Sequence, residues 1–115
     1  MRVIVCGDRN WDDHKIMLRE MKKLPPDTII VEGGCRGADK LAARIAKSLG
    51  FQVEEHPAKW EVHRKAAGPI RNKEMLDAGA DLVLAFHKDF ANSKGTKHMV
   101  TIARKAGITT YVYSE

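Results

Sequence analysis

The chain has 115 residues, a net charge of +5 and 43% hydrophobic residues. This length fits one domain, and the composition excludes a disordered or fibrous chain. No apolar run approaches the roughly 20 residues that span a bilayer, so we expect no membrane contact. Met1 and Arg2 lead directly into a short apolar run without a cleavage region. We therefore expect a cytoplasmic protein.

The predicted elements alternate between strand and helix along one domain, residues 1–115. Strands are predicted at 3–6, 28–31, 51–55, 81–86 and 109–113, and helices at 13–24, 38–49, 69–78 and from 96 to the glycine at 107. Residues 56–68 are predicted to form a long connection. The helical segments carry apolar residues on one face. The pattern predicts an α/β fold, namely a compact Rossmann-like domain with a mostly parallel five-stranded sheet flanked by about four helices.

The strongest motif is the glycine turn, residues 33–39 (Gly33-Gly34-Cys35-Arg36-Gly37-Ala38-Asp39), between a strand and an amphipathic helix. Glycines let a backbone approach a ligand closely, and the amides at a helix start favour an anion. Arg36 is a candidate charged clamp. Asp39 could cap free amides or accept from a ribose hydroxyl. The turn lacks a Walker lysine and departs from the dinucleotide spacing, but it predicts a phosphate site.

Three further loops that leave strands carry candidate ligand residues. Pro69 is predicted as a first helical position, which places Arg71 and Asn72 in the first turn. An arginine there faces the positive end of its own helix, and a bound anion would explain that placement. A second loop carries Gly95 and Thr96 at a helix start. The third loop follows the first strand and carries Gly7 and Arg9. Trp60 lies in the connection 56–68 and is a candidate for stacking on a base or for covering the core edge. The full predicted ligand set is Gly7, Arg9, Gly33, Gly34, Arg36, Gly37, Asp39, Trp60, Arg71, Asn72, Gly95 and Thr96.

The cysteines and histidines do not form a metal pattern. Cys6 and Cys35 have no second cysteine at metal-binding spacing, and in a cytosolic chain they are expected to be free thiols. The five histidines are scattered, and we interpret most of them as surface residues. We therefore predict no metal and no cofactor.

Several of these segments together resemble a known family. The run 31–39, then Trp60, then residues 65–75 (Lys-Ala-Ala-Gly-Pro-Ile-Arg-Asn-Lys-Glu-Met), then Gly95-Thr96, is similar to the YspA-like, YpsA-related branch of the SLOG superfamily. The resemblance covers nearly the whole chain and implies a Rossmann-like domain that senses or processes nucleotide-derived ligands. Relatives include the Lonely Guy phosphoribohydrolases and the DprA domain, and small members of this branch occur in phages and mobile elements.

The resemblance breaks at one residue. Lonely Guy enzymes carry a Pro-Gly-Gly-x-Gly-Thr-x-x-Glu loop whose Glu contributes to glycosidic cleavage. Here Gly95 and Thr96 match, whereas Met99 stands at the position of that Glu. The chain thus keeps the phosphate-loop elements and lacks a residue that the hydrolysis needs.

Three functions follow as hypotheses. The first is a domain that binds or senses a nucleotide or nucleotide-derived signal. The second is a nucleotide N-glycosidase in which Glu32 or Asp39 supplies the missing carboxylate, because an oxocarbenium-like centre needs one nearby. The third is a nucleic-acid binder, which the net charge and the DprA analogy suggest, but the basic residues are not gathered in one stripe. Pairing into a homo-oligomer through helices, which is common among relatives, is also an open alternative.

Overall fold

The five predicted strands form one sheet in the computed structural model, which describes residues 1–114. The strands are β1 (Arg2–Gly7), β2 (Ile29–Glu32), β3 (Gln52–Glu55), β4 (Leu82–Phe86) and β5 (Thr109–Tyr113). Their order is β3-β2-β1-β4-β5, and every neighbouring pair is parallel. The predicted α/β fold with a parallel five-stranded sheet is confirmed. Because the order reverses between β1 and β4, the topological switch point of the sheet lies at their carboxyl ends.

Helices cover both faces of the sheet. They are α1 (His14–Met21), α2 (Ala38–Ser48), α3 (Trp60–His63), α4 (Ala67–Asp77) and α5 (Gly95–Lys105). On one face, α1 and α2 pack against alternate strand residues such as Val3 and Val5. On the other face, α4 and α5 pack against the intervening residues Ile4 and Cys6. The period of two along each strand therefore decides which layer a side chain joins.

The connection predicted over residues 56–68 is largely helical, so this part of the prediction was wrong. It contains α3, a 3-10 turn at Arg64–Ala66, and the start of α4. Helix α4 begins at Ala67, two residues before Pro69. Alanine is the best helix former, and proline is tolerated within the first turn, where amides have no intrahelical partner.

This earlier start moves the arginine of α4 away from the helix end. Arg71 and Asn72 lie in the second turn of α4 rather than in the first, as the sequence had predicted. The positive end of the helix therefore does not explain the environment of Arg71.

Neither a membrane-spanning helix nor a metal-binding cluster is found among the described residues. None of the helices in residues 1–114 is long and apolar enough to cross a bilayer. The same residues hold no group of three histidine, cysteine or acidic side chains arranged to bind a metal ion.

Candidate functional site

A cleft of about 580 Å³ lies at the topological switch point of the sheet. It is bounded by the carboxyl end of β1, the segment that follows β4, and helices α3, α4 and α5. The residues that line it are Cys6, Gly7, Asp8, Arg9, Cys35, Asp39, Trp60, Lys65, Gly68, Pro69, Arg71, Asn72, Met75, His87, Ser93, Lys94, Gly95, Thr96 and His98. A cavity of this size suits a ligand as large as a nucleotide.

The structure brings most, but not all, of the predicted ligand residues to this cleft. Those that line it are Gly7, Arg9, Asp39, Trp60, Arg71, Asn72, Gly95 and Thr96. Those outside its wall are Gly33, Gly34, Arg36 and Gly37. The part of the glycine turn that seemed best suited to a phosphate is therefore the part that does not face the cleft.

Two amides of the glycine turn are already engaged by the protein's own carboxylates. The Gly34 amide donates to Glu32 Oε1 at 2.6 Å, and the Cys35 amide donates to Asp39 Oδ2 at 3.2 Å. The Ala38 amide, at the start of α2, donates to the carbonyl of Asp8 at 3.0 Å. These donors, which the sequence had assigned to an anion, are used for closing the turn.

Gly37 has a packing role that only glycine can fill. It precedes α2 with φ 81° and ψ −125°, and a Cβ at this position would collide with the backbone carbonyls of Arg9 and Asp8. The left-handed φ and the close approach of two loops both exclude a side chain. The glycine therefore joins the loop after β1 to the start of α2.

Arg71 fixes the glycine turn from the opposite face of the sheet. Its Nη1 donates to the Gly33 carbonyl at 2.8 Å and to the His56 carbonyl at 3.5 Å. Its Nε donates to Asn72 Oδ1 at 3.1 Å. The guanidinium thus ties α4 to the ends of β2 and β3, while it also forms part of the cleft wall.

Asp39 is a buried carboxyl group on the cleft wall. Its side chain belongs to a residue that is only 6% exposed. Burial raises the pKa of Asp39 to about 6, and the Cys35 amide and the positive charge of Arg71 oppose that rise. The Asp39 carboxylate is therefore held charged near neutral pH by the glycine turn and by Arg71.

Glu32, the other candidate carboxylate, does not line the cleft. It follows Val31 in β2, and alternation directs its side chain to the α2 face of the sheet. There it is fully buried beside Glu55 and a shallow groove along α2. Burial raises the pKa of Glu32 to about 7, and the hydrogen bond and negative charge of Glu55 add to the rise.

The start of α5 differs from the start of α2. The Lys97 amide donates to Ser93 Oγ, and the His98 amide donates to the Lys94 carbonyl. The amides of Gly95 and Thr96 have no acceptor among the contacts of residues 1–114. Both residues line the cleft. These amides are available to an anion at the positive end of an eleven-residue helix.

Basic side chains outnumber acidic ones around the cleft. Four basic residues line it, namely Arg9, Lys65, Arg71 and Lys94, against the two carboxylates of Asp8 and Asp39. This excess favours an anionic ligand. Trp60 lies on the same wall and is 50% exposed, so its ring is accessible.

Several cleft residues were missed by sequence reasoning. These are Lys65, His87, Lys94 and His98; His87 directly follows β4, and Lys94 and His98 flank the start of α5. None of the five histidines is buried: His14 is exposed, and the other four are half-buried. The prediction of free thiols is confirmed for both cysteines, with Cys6 buried and Cys35 half-buried on the cleft wall.

Comparison with known proteins agrees with this architecture. Residues 1–63 match the model of the YspA, cpYpsA-related SLOG family. The chain is also 43% identical over 116 residues to Gene 61 protein of Mycobacterium phage D29, in an alignment covering 93% of this chain and 91% of that protein. The protein therefore belongs to the YspA, cpYpsA-related SLOG family.

Proposed function

We propose that the protein binds a nucleotide or a nucleotide-derived ligand in the cleft at the switch point of its sheet. The observation that carries this proposal is the combination, around one cleft, of two available helix-start amides with an excess of basic side chains. Family membership supports it, because SLOG domains are associated with nucleotide-related ligands. The cytoplasmic location expected from the sequence is consistent with such a ligand.

The anionic group of the ligand is assigned to the start of α5. The amides of Gly95 and Thr96 supply two donors, and a Cβ built on Gly95 meets nothing within 4 Å, so a phosphate has room there. Lys94 adds a positive charge on the same loop. A helix start with available amides and a nearby lysine is a favourable environment for a phosphate.

The base is assigned to the side of the cleft formed by α3. Trp60 begins this helix, and half of its surface is exposed. A half-exposed tryptophan beside a polar cleft offers a flat surface on which a purine or pyrimidine can stack. Stacking would leave the hydrogen-bonding edges of the base to the other cleft residues.

Isothermal titration calorimetry with AMP, ADP-ribose and cyclic nucleotides tests the proposal. Binding of at least one compound is expected, with an affinity that falls as salt rises because the ligand is anionic. The variant Trp60→Ala is expected to weaken binding about tenfold, since stacking on one base contributes roughly 1–3 kcal/mol. Tyr111→Ala is the matched control, because Tyr111 is 52% exposed and lies outside the cleft wall. A flat response to the whole panel would overturn the proposal.

A second candidate function is cleavage of the nucleotide N-glycosidic bond. The observation that favours it is Asp39, a buried carboxyl on the cleft wall whose pKa is raised to about 6. Met99, at the position of the Lonely Guy glutamate, is fully buried in the core and supplies no such group. Release of free base from AMP that is abolished by Asp39→Asn would support cleavage. Intact AMP after prolonged incubation would exclude it.

A further inference from the structure

Asn72 is the most constrained polar side chain of the cleft. It is only 4% exposed, and it bridges α4 to the first turn of α5. Its Oδ1 accepts from Arg71 Nε at 3.1 Å. Its Nδ2 faces the Gly95 carbonyl at 3.2 Å and the ring nitrogen Nδ1 of His98 at 3.1 Å.

The partners of Asn72 fix which way its amide points. An arginine side chain can only donate and a backbone carbonyl can only accept. The oxygen of Asn72 must therefore face Arg71, and its NH₂ group must face Gly95 and His98. A flipped amide would set a donor against Arg71 and an acceptor against the Gly95 carbonyl.

The amide orientation in turn fixes the chemical form of His98. Because Asn72 Nδ2 is a donor, His98 Nδ1 must accept, so it carries no proton. The ring is then neutral, with its proton on Nε2. A doubly protonated ring would set two donors against each other at 3.1 Å.

The position of His98 directs this donor to the cleft. His98 lines the cleft and is half-buried, one turn beyond Gly95. Side chains on a helix tilt toward its N-terminus, so the ring leans toward the available amides of Gly95 and Thr96. With Nδ1 engaged by Asn72, Nε2 is the ring nitrogen that can contact a ligand.

We propose that His98 is a ligand-recognition residue whose Nε2–H donates a hydrogen bond to the phosphate of a bound nucleotide. Asn72 is the positioning residue that holds the ring in this form. The proposal rests on the proposed function for its ligand, whereas the form of the ring is independent of any ligand. The donor is a neutral group with a fixed direction, whereas Lys65 and Lys94 on the same cleft are charged groups on flexible stems.

The ligand role is tested by calorimetry with AMP and with adenosine, which lacks the phosphate. His98→Leu is expected to weaken AMP binding about tenfold and to leave adenosine binding unchanged, because a hydrogen bond to a charged group is lost. His98→Gln is expected to retain most of the affinity for AMP, since its side-chain amide offers a donor near Nε2. His63→Leu is the control, because His63 is a half-buried histidine outside the cleft wall.

Each result decides between the proposals. Unchanged AMP binding in His98→Leu, or an equal loss for AMP and adenosine, would overturn the role of His98 while leaving the proposed function intact. A wild-type protein that binds none of AMP, ADP-ribose and the cyclic nucleotides would overturn the proposed function, and the phosphate contact of His98 with it.

The form of the ring is tested without a ligand by ¹⁵N NMR of the histidine side chains at neutral pH. We expect the His98 signals of an Nε2-protonated, neutral ring. Asn72→Asp is expected to shift them toward an Nδ1-protonated or charged ring, because the new carboxylate can only accept. An Nδ1-protonated His98 in the wild-type protein would overturn the inference directly.

Discussion

Helices α2 and α5 both start beside glycine, but the backbone amides at their starts have different hydrogen-bond partners. Helix α2 follows the glycine turn after β2, and α5, which follows β4, has Gly95 as its first residue. At α2, the amides of Gly34, Cys35 and Ala38 are bonded to Glu32, Asp39 and the Asp8 carbonyl. At α5, the first two amides lack an acceptor within residues 1–114 and face the cleft.

The difference depends on carboxylates rather than on glycines. Glu32 lies immediately before the turn and accepts from the Gly34 amide, and Asp39 in the first turn of α2 reaches back to the Cys35 amide. Helix α5 has no acidic residue in its first turn. A glycine-rich helix start is therefore a candidate anion site only where no nearby carboxylate already occupies its donors.

Alanine substitutions of the glycines at the two helix starts should differ most in their effect on the free energy of unfolding. Gly37→Ala is expected to lower the free energy of unfolding by about 3–5 kcal/mol, because it adds left-handed strain and a collision with two carbonyls. Gly95→Ala is expected to change it by less than about 1 kcal/mol, since its Cβ meets open space. Urea denaturation of the two variants measures both values. Equal losses of stability would contradict the contrast between a tightly packed glycine turn before α2 (the closed turn) and an unobstructed start of α5.

Removal of the Arg71 side chain should give the second-largest loss of stability, because Arg71 holds the closed turn in place. Arg71→Ala leaves the Gly33 carbonyl without its donor and the buried Asp39 without a neighbouring positive charge. We expect a loss of about 3 kcal/mol in the free energy of unfolding. Lys73→Ala on the same helix is the control, because its ion pair with Asp77 is exposed and contributes less than about 1 kcal/mol. A loss no larger than that of the control would show that Arg71 does not hold the turn.

The two buried carboxyl groups that accept from the turn amides, Glu32 and Asp39, predict that the free energy of unfolding depends on pH. The pKa of Glu32 is raised to about 7 and that of Asp39 to about 6, both mainly by burial. For raised pKa values, the folded state binds protons more tightly than the unfolded state. Their stabilising contribution is therefore present at low pH and is lost as pH rises through about 6 and 7.

Between pH 8 and pH 5 we accordingly expect the free energy of unfolding to rise by about 4 kcal/mol. Glu32→Gln should flatten much of this rise, because the amide still accepts from Gly34 but cannot ionise. Glu61→Gln is the control, since Glu61 is exposed. Denaturation at a series of pH values measures the effect. A stability that falls on acidification over this range would contradict the assignment.

The fold could be predicted from the sequence because its determinants are local. Apolar residues such as Leu41, Ala42 and Ile45 fall on one helix face, and the run 81–86 is too apolar for anything but a buried strand. The start of α4 could not be predicted, because Pro69 is equally compatible with the first or the third helical position.

The candidate site could be predicted only in part. The loops could be identified because ligands bind beyond the carboxyl ends of parallel strands. The hydrogen bond from the Cys35 amide to Asp39 and the contact of Asn72 with His98 could not, because they depend on distances in space. His98 carries no local pattern, since a single histidine in an amphipathic helix is commonplace. Glu32 is different, because alternation from Val31 already directs it away from the cleft face.

The central claim is that the phosphate of a nucleotide binds at the start of α5 and not at the glycine turn. Backbone ¹H–¹⁵N spectra recorded during titration with AMP test it most directly. We predict that the largest shifts occur at the amides of Gly95 and Thr96, with little change at Gly34 and Cys35. Large shifts at Gly34 and Cys35 with Gly95 and Thr96 unmoved, or no shifts at saturating AMP, would contradict the account.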